Sequence, residues 1–378
     1  MQCYLDNSAT TRPTEYVADA VRESMLEGFY NPSALYAPAL NSEKKMSACR
    51  ELIAKELHAD ARNVIFTSGG TEADNLAILG SLSGMRGGRV LFSAGEHPAV
   101  RVPCESVRNQ FDVQEIPYDG TGKVDLSALE QLLTPDTRLI CVMQVNNETG
   151  AIMPLEEIAA LRDRLCPEAL LHVDGVQGFL RLPVDMRKMG IDSYALSGHK
   201  IHAPKGIGAL VLGNRVKLAA RALGGGQEKA LRSGTENTPG IAGLMAAIES
   251  YPRENNMMQV KLHLYECLRE IAGDRFFVNG PDSKEGAAHI LNCSLVPVRS
   301  ETLLYALEGD QVYVANGSAC SSRKQKISTV LSAMKIPRKQ AESAIRFSLS
   351  PYTTMEEIDY AVSCIRRHYD MFKRYERR

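Results

Sequence analysis

Apolar positions in this chain follow two rhythms that alternate along its first two thirds. Short apolar runs bounded by glycine, proline or polar residues read as strands, at 64–68, 90–93, 137–144, 170–174, 194–196 and 207–212. Segments with apolar residues three and four apart read as helices. Residues 42–58 place Met46, Cys49, Leu52, Ile53 and Leu57 on one face, and further helices are expected over 71–82 and 155–165. This alternation predicts an α/β fold, a mostly parallel sheet covered by helices on both faces. Such sheets bind ligands at the carboxyl ends of their strands.

The pattern changes after a polar, proline-containing stretch at 251–256. Helices are then expected over 257–271, 300–307 and 356–372, and strands over 290–295, 312–315 and 343–349. The last helix carries Ile358, Ala361, Val362, Ile365 and Tyr369 on one face. At 378 residues the chain exceeds what one hydrophobic core usually holds. The expected division is a large domain over 15–250 and a smaller α+β domain over 251–378, completed by the N-terminal segment 1–14.

Composition narrows the class. Hydrophobic residues make up 44% and charged residues 24%, as in ordinary soluble domains. The formal net charge is −1, so no global field recruits nucleic acid or a membrane surface. No apolar run approaches the roughly 20 residues of a membrane span, and the first residues lack the basic and apolar regions of a signal peptide. The nine cysteines are scattered and never spaced as C-x-x-C, which fits reduced cytoplasmic thiols better than a disulfide frame or a metal site.

The chemistry gathers at the predicted strand ends. Lys200 follows the run 194–196 in a loop rich in Gly, Pro, His and Lys, and Asp174 ends the run 170–174 one crossover earlier. A lysine amine beside a carboxylate suits pyridoxal 5′-phosphate (PLP): the lysine carries the aldehyde and the acid keeps the pyridine nitrogen protonated. Gly69-Gly70-Thr71 turns a strand into a helix, where free N–H groups and the dipole make a phosphate site. The spacing of Thr71 and Asp74 also fits a plain capping box. His97 can stack on a flat ring and shuttle protons. Asn147 can reach a phenolic oxygen and a substrate carboxylate, or simply form an Asx turn; Gly150 lets the backbone turn away. Gln177, three residues after Asp174, is placed for the phenolic oxygen. The loop from Gly224 to Asn237 holds Arg232 and Thr235, read equally as an anion contact or a flexible loop. Arg346 is the one charge in an alternating strand, a clamp for an α-carboxylate or half of a structural ion pair. Cys320 sits among Gly, Ser and Ala, in a segment too polar for a core, as a nucleophile requires. His172 and His202 read as structural.

Ser-Gly-His-Lys at 197–200, His-Val-Asp-Gly-Val-Gln at 172–177, the Gly-Thr-Glu turn, Glu96-His97, Val-Asn-Asn-Glu at 145–148, Gly-Ser-Ala-Cys at 317–320 and Arg-x-Ser at 346–348 together resemble the class V aminotransferase family, and within it the cysteine desulfurases. The resemblance runs from Tyr4 to the last helix. It implies the fold of PLP-dependent transferases of fold type I, with a seven-stranded sheet in the large domain. It adds Ser197 and His199 to the cofactor contacts, His97 as the stacking residue, and Thr235 as a contact to the phosphate of the other subunit of a homodimer. The implied reaction takes L-cysteine to L-alanine and leaves sulfur on Cys320 as a persulfide for an iron–sulfur scaffold or a thiolation protein. Two departures stand out: Tyr36 replaces a usual histidine, and Arg323, Lys324 and Lys326 follow the cysteine. A selenocysteine lyase, another class V transaminase or lyase, and a non-catalytic sulfur-relay protein are the alternatives.

Overall fold

The computed structural model describes residues 1–316 and 328–375; Cys320 and the basic run after it lie outside the described residues. In chain order the strands are β1 (Cys3–Tyr4), β2 (Val64–Thr67), β3 (Arg89–Ser93), β4 (Asp112–Ile116), β5 (Thr137–Met143), β6 (Leu170–Asp174), β7 (Ser193–Ser197), β8 (Gly208–Leu212), β9 (Phe276–Val278), β10 (Ile290–Leu295), β11 (Val312–Tyr313) and β12 (Ala344–Ser348). Seven of them form one sheet in the order β2-β8-β7-β6-β5-β3-β4. It is parallel except at β8, which runs against both β7 and β2. A loop of ten residues, 198–207, joins β7 to β8, too short for the crossover that a parallel neighbour needs.

Helices α1 (Glu15–Leu26), α2 (Ala37–Leu57), α3 (Gly70–Leu82) and α4 (Pro98–Ser106) come from the first half of the chain. α2 begins five residues earlier than its apolar face suggests, because Pro38 sits in its first turn, where a missing N–H costs nothing. At α3 the capping box is not formed. Gly69, with φ +150°, is the N-cap, no side chain caps the helix, and Asp74 is turned inward and buried. The expected strand over 312–315 is shorter: β11 ends at Tyr313, and Ala315 makes an isolated bridge to Arg346.

One large core lies around the sheet, between Val17 and Tyr251, and takes in Val330 and Leu331. Another joins Cys3 and Leu5 to residues between Val260 and Tyr369. Leu5 is fully buried there. Burial of such a side chain contributes about 1.5–3 kcal/mol, so Leu5 fastens the N-terminal segment beneath β10 and β12. β1 pairs with β11, and Asn7 bonds to the Ser348 carbonyl oxygen through both its backbone and its side-chain N–H groups. Among the described residues, no helix is long and apolar enough to cross a membrane.

Candidate active site

The carboxyl ends of β6 and β7 lie side by side and parallel. β6 delivers Asp174, whose Oδ1 accepts the Val176 N–H at 2.9 Å. The chain must turn at Gly175, where a Cβ would stand 1.9 Å from the Tyr194 ring. β7 delivers buried Ser197 and then a short turn through His199 to Lys200. Lys200 Nζ donates to the carbonyl oxygens of Ser8 and Ala9, at 2.6 and 2.7 Å. His97 ends the turn after β3 and caps α4, its Nδ1 accepting the Ala99 N–H at 3.1 Å.

Electrostatics tie these groups together. Burial raises the Asp174 pKa, and His97 and Lys200 pull it back. Burial lowers that of His97, with Asp174 opposing and Lys200 reinforcing. Each of the three therefore lies within charge reach of the others. With Nδ1 occupied as an acceptor, the neutral His97 ring carries its proton on Nε2.

At the phosphate end the Gly69-Gly70 backbone packs closely against neighbouring side chains. A Cβ at Gly70 would come within 2.6 Å of Val176 Cγ2, and one at Gly69 within 3.6 Å of Ser197 Oγ. The first amides of α3 have no partners within the helix. Thr71 is exposed there. Arg232 Nε holds Glu72 in this first turn at 2.9 Å, bringing the loop of Thr235 to the same end of the sheet. Thr235 itself is exposed. The loop's entry is strained: Glu228, Lys229 and Ala230 have φ of 47°, 58° and 61°. Arg50 Nη2 and Nη1 grip the Glu228 carboxylate at 2.6 and 2.9 Å, and the Phe66 N–H donates to it at 2.9 Å.

On the opposite side Arg346, buried on β12, donates through Nη2 to Asp6 Oδ1 at 2.6 Å and through Nη1 to the Asn147 carbonyl oxygen at 3.0 Å. The structural ion pair is thus present, and its Nε has no partner among the described residues, which leaves a donor for a ligand. The Asx turn forms at Asn146, whose Oδ1 accepts the N–H groups of Glu148 and Thr149 at 2.9 Å each. This spares the Asn147 side chain for other work, and Gly150 turns the chain with φ +74°. Gln177 is buried and donates to the Ser8 carbonyl oxygen at 3.0 Å. His199 Nδ1 lies 3.1 Å from Thr10 Oγ1; burial, then Lys200 and Lys205, hold its pKa down at about 4. Tyr36 is exposed at the N-cap of α2, edge-on to Tyr30.

Several residues that the sequence pattern passed over belong here. Asp6 pairs with Arg346, and Ser8 and Ala9 receive Lys200. Glu148 is buried and accepts the Ser328 hydroxyl hydrogen. Burial pushes its pKa up to about 7 against the opposing effects of Ser328 and Arg346. Asp74 and His172 form a buried pair. Local signals exist for most of them: Asp6, Ser8 and Ala9 lie in the segment 4–11, which resembles the site-lining opening of the class V family, His172 opens the string 172–177, and Glu148 lies in Val-Asn-Asn-Glu.

A buried acid, a lysine amine and an imidazole in mutual charge reach, with a glycine cradle at a helix start, fit PLP in shape and donor type. That combination lies on the mostly parallel sheet of an α/β fold. The chain belongs to the aminotransferase class-V family, whose model matches residues 3–361. It is 35% identical to a cysteine desulfurase IscS of Dictyoglomus turgidum, over 97% of this chain and 94% of that protein. Its fold superposes on a solved NifS-like protein with a TM-score of 0.90 at 30% identity, covering 98% and 100% of the two chains. A structure of SspA in complex with cysteine matches with a TM-score of 0.83 at 30% identity, over 93% and 100%.

Proposed function

We propose that this chain is a PLP-dependent cysteine desulfurase. L-Cysteine and the Cys320 thiol give L-alanine and a Cys320 persulfide, and the sulfur then passes to an acceptor protein for iron–sulfur assembly or thiolation. The observation that carries the reading is the meeting of Lys200 and Asp174, past the ends of neighbouring strands β7 and β6, with His97 from the turn after β3, and with residues 6–9 linking Lys200 to Arg346.

Gly70, Thr71 and Ser197 would hold the phosphate, with Thr235 reaching across from the other subunit of a homodimer. Asp174 would hold a proton on the ring nitrogen, His97 would stack on the ring, and Gln177, Asn147 and His199 would line its polar edge. PLP, when bound, supplies an aldehyde for the substrate amine and a ring that takes up electrons from Cα. Arg346 binds the substrate carboxylate through its spare donor, with Asn147 beside it. Lys200 takes the proton from Cα and returns it to the product. His97, with its proton on Nε2, carries protons to and from the thiols. We also read residues 15–250 as the PLP-binding domain and 1–14 with 251–378 as the smaller one.

The test is a balance of products. With PLP, L-cysteine and a small thiol reductant, the protein should release alanine and sulfide in equal amounts. Cys320→Ala should abolish both, and borohydride reduction with peptide mapping should put the PLP mass on Lys200. Undiminished alanine from Cys320→Ala, or a label on Lys205, would overturn the reading.

A further inference from the structure

Two residues that the proposed chemistry leaves unused lie sealed beneath the sheet ends. Asp74, one turn into α3, is 1% exposed, and His172 on β6 is fully buried. His172 Nε2 lies 3.1 Å from Asp74 Oδ1, and its Nδ1 lies 2.9 Å from Ser193 Oγ. The other Asp74 oxygen has no partner among the described residues. Around it α3 meets the protein interior with Ala73, Leu76, Ala77 and Ile78, so packing alone asks for an apolar side chain at 74. A buried carboxyl with one oxygen unsatisfied is costly. What it supplies in return is a directional contact at a fixed length, which apolar packing lacks.

The three residues sit on three elements, and each element carries one end of the proposed cofactor site. α3 opens with Gly70 and Thr71, four and three residues before Asp74. β6 ends at Asp174, two residues past His172 and therefore on the same face of the sheet. β7 begins at Ser193, opposite His172, and runs through Ser197 toward Lys200. Burial, then Asp174, Glu96 and Cys104, raise the Asp74 pKa well above the carboxylate range, and burial lowers that of His172 to about 3. Burial thus disfavours the charged form of each group.

We propose that the Asp74–His172–Ser193 hydrogen-bond chain is a positioning device that sets the span between the phosphate turn of α3 and the Asp174 carboxylate, so that one ligand is gripped at both ends at once. The proposal rests on the reading of the site as a PLP site.

Its signature is the gain from holding both ends, measured as the ratio of the dissociation constants for pyridoxal, which lacks the phosphate, and for PLP. Binding is followed by absorbance on the apo full-length protein, with thermal unfolding of the apo form recorded alongside. Asp74→Ala should narrow the ratio about tenfold, weakening PLP while leaving pyridoxal within twofold. Asp74→Asn should keep it, because the amide, with both a donor and an acceptor, can bond to Nε2 in the same place. Equal weakening of both ligands by Asp74→Ala, or an unchanged ratio, would overturn the proposal in favour of a purely structural pair. Should Asp74→Ala not fold, Ser193→Ala decides: a narrowing of about threefold supports the device, and an unchanged ratio overturns it. Wild-type protein that binds neither ligand would instead remove the PLP reading beneath it.

Discussion

Asp74, Glu96 and His172 lie under the sheet ends, each at most 3% exposed, and bond to a hydroxyl, a backbone N–H or each other. Burial drives all three toward their uncharged forms. Across the site the chemistry is ionic. Arg346 is paired with Asp6, whose side chain is 21% exposed, and Lys200 donates to two carbonyl oxygens of the same N-terminal segment. In the proposed reading the sheet side, with its buried hydrogen bonds, would fix distances, and the side formed by β12 and residues 6–9, with its ion pair, would meet an ionic substrate. Rigidity and recognition would then fall to different walls.

The sharpest way to break this contrast is to remove the charge from the ionic wall. Arg346→Gln deletes the carboxylate donor and strands Asp6. Truncating a buried charged partner costs about 2–5 kcal/mol, so kcat/KM for L-cysteine should fall by about a thousandfold. Steady-state kinetics should assign most of the fall to KM. A fall in kcat at unchanged KM would mean that Arg346 serves the chemistry and not recognition.

Glu148 lies at the seam, a buried acid within charge reach of Arg346, and its titration sharpens the comparison. Its native pKa is raised from 4.5 to about 7. Between those values the unfolded chain releases the proton while the folded chain keeps it. The stabilisation is therefore complete below pH 4.5 and is lost as pH rises toward about 7. Urea unfolding should show wild type losing on the order of 3 kcal/mol relative to Glu148→Gln across that window. A flat difference would show that Glu148 ionises normally and belongs with the ionic wall.

The smallest effect is expected outside both walls. Tyr36 is 53% exposed, and its ring meets Tyr30 edge-on. Tyr36→Phe should leave turnover within about twofold and stability within about 0.5 kcal/mol, the range of surface changes. A larger loss of turnover would give the phenol a chemical role.

How much of this was legible depended on distance along the chain. Asp174 and Lys200 could be read because apolar runs mark strand ends, and strand ends are where α/β sheets bind. The helix after Gly70 was equally plain, but its capping was not. Thr71 and Asp74 have the right spacing for a box, and only the sheet below shows that position 74 faces inward to His172, 98 residues away. The Arg-x-Ser resemblance favours Arg346 as the clamp, while its ion pair could not be read because Asp6 is 340 positions distant. Local pattern specifies elements; the polar contacts between elements are settled by packing.

That separation of Asp6 from Arg346 has a consequence for how the protein is made. Asp6 leaves the ribosome long before Arg346 does, so neither their ion pair nor the pairing of β1 with β11 can form early in synthesis. At about 5–20 residues per second the wait is roughly 20–70 seconds. The seven-strand sheet is complete once β8 has emerged and has the last part of that interval, roughly 7–27 seconds, to settle, while the segment that receives Lys200 still lacks its anchor. Closing contacts between such distant parts is slow. The ion pair that joins the N-terminal segment to β12 is therefore completed only once Arg346 has emerged.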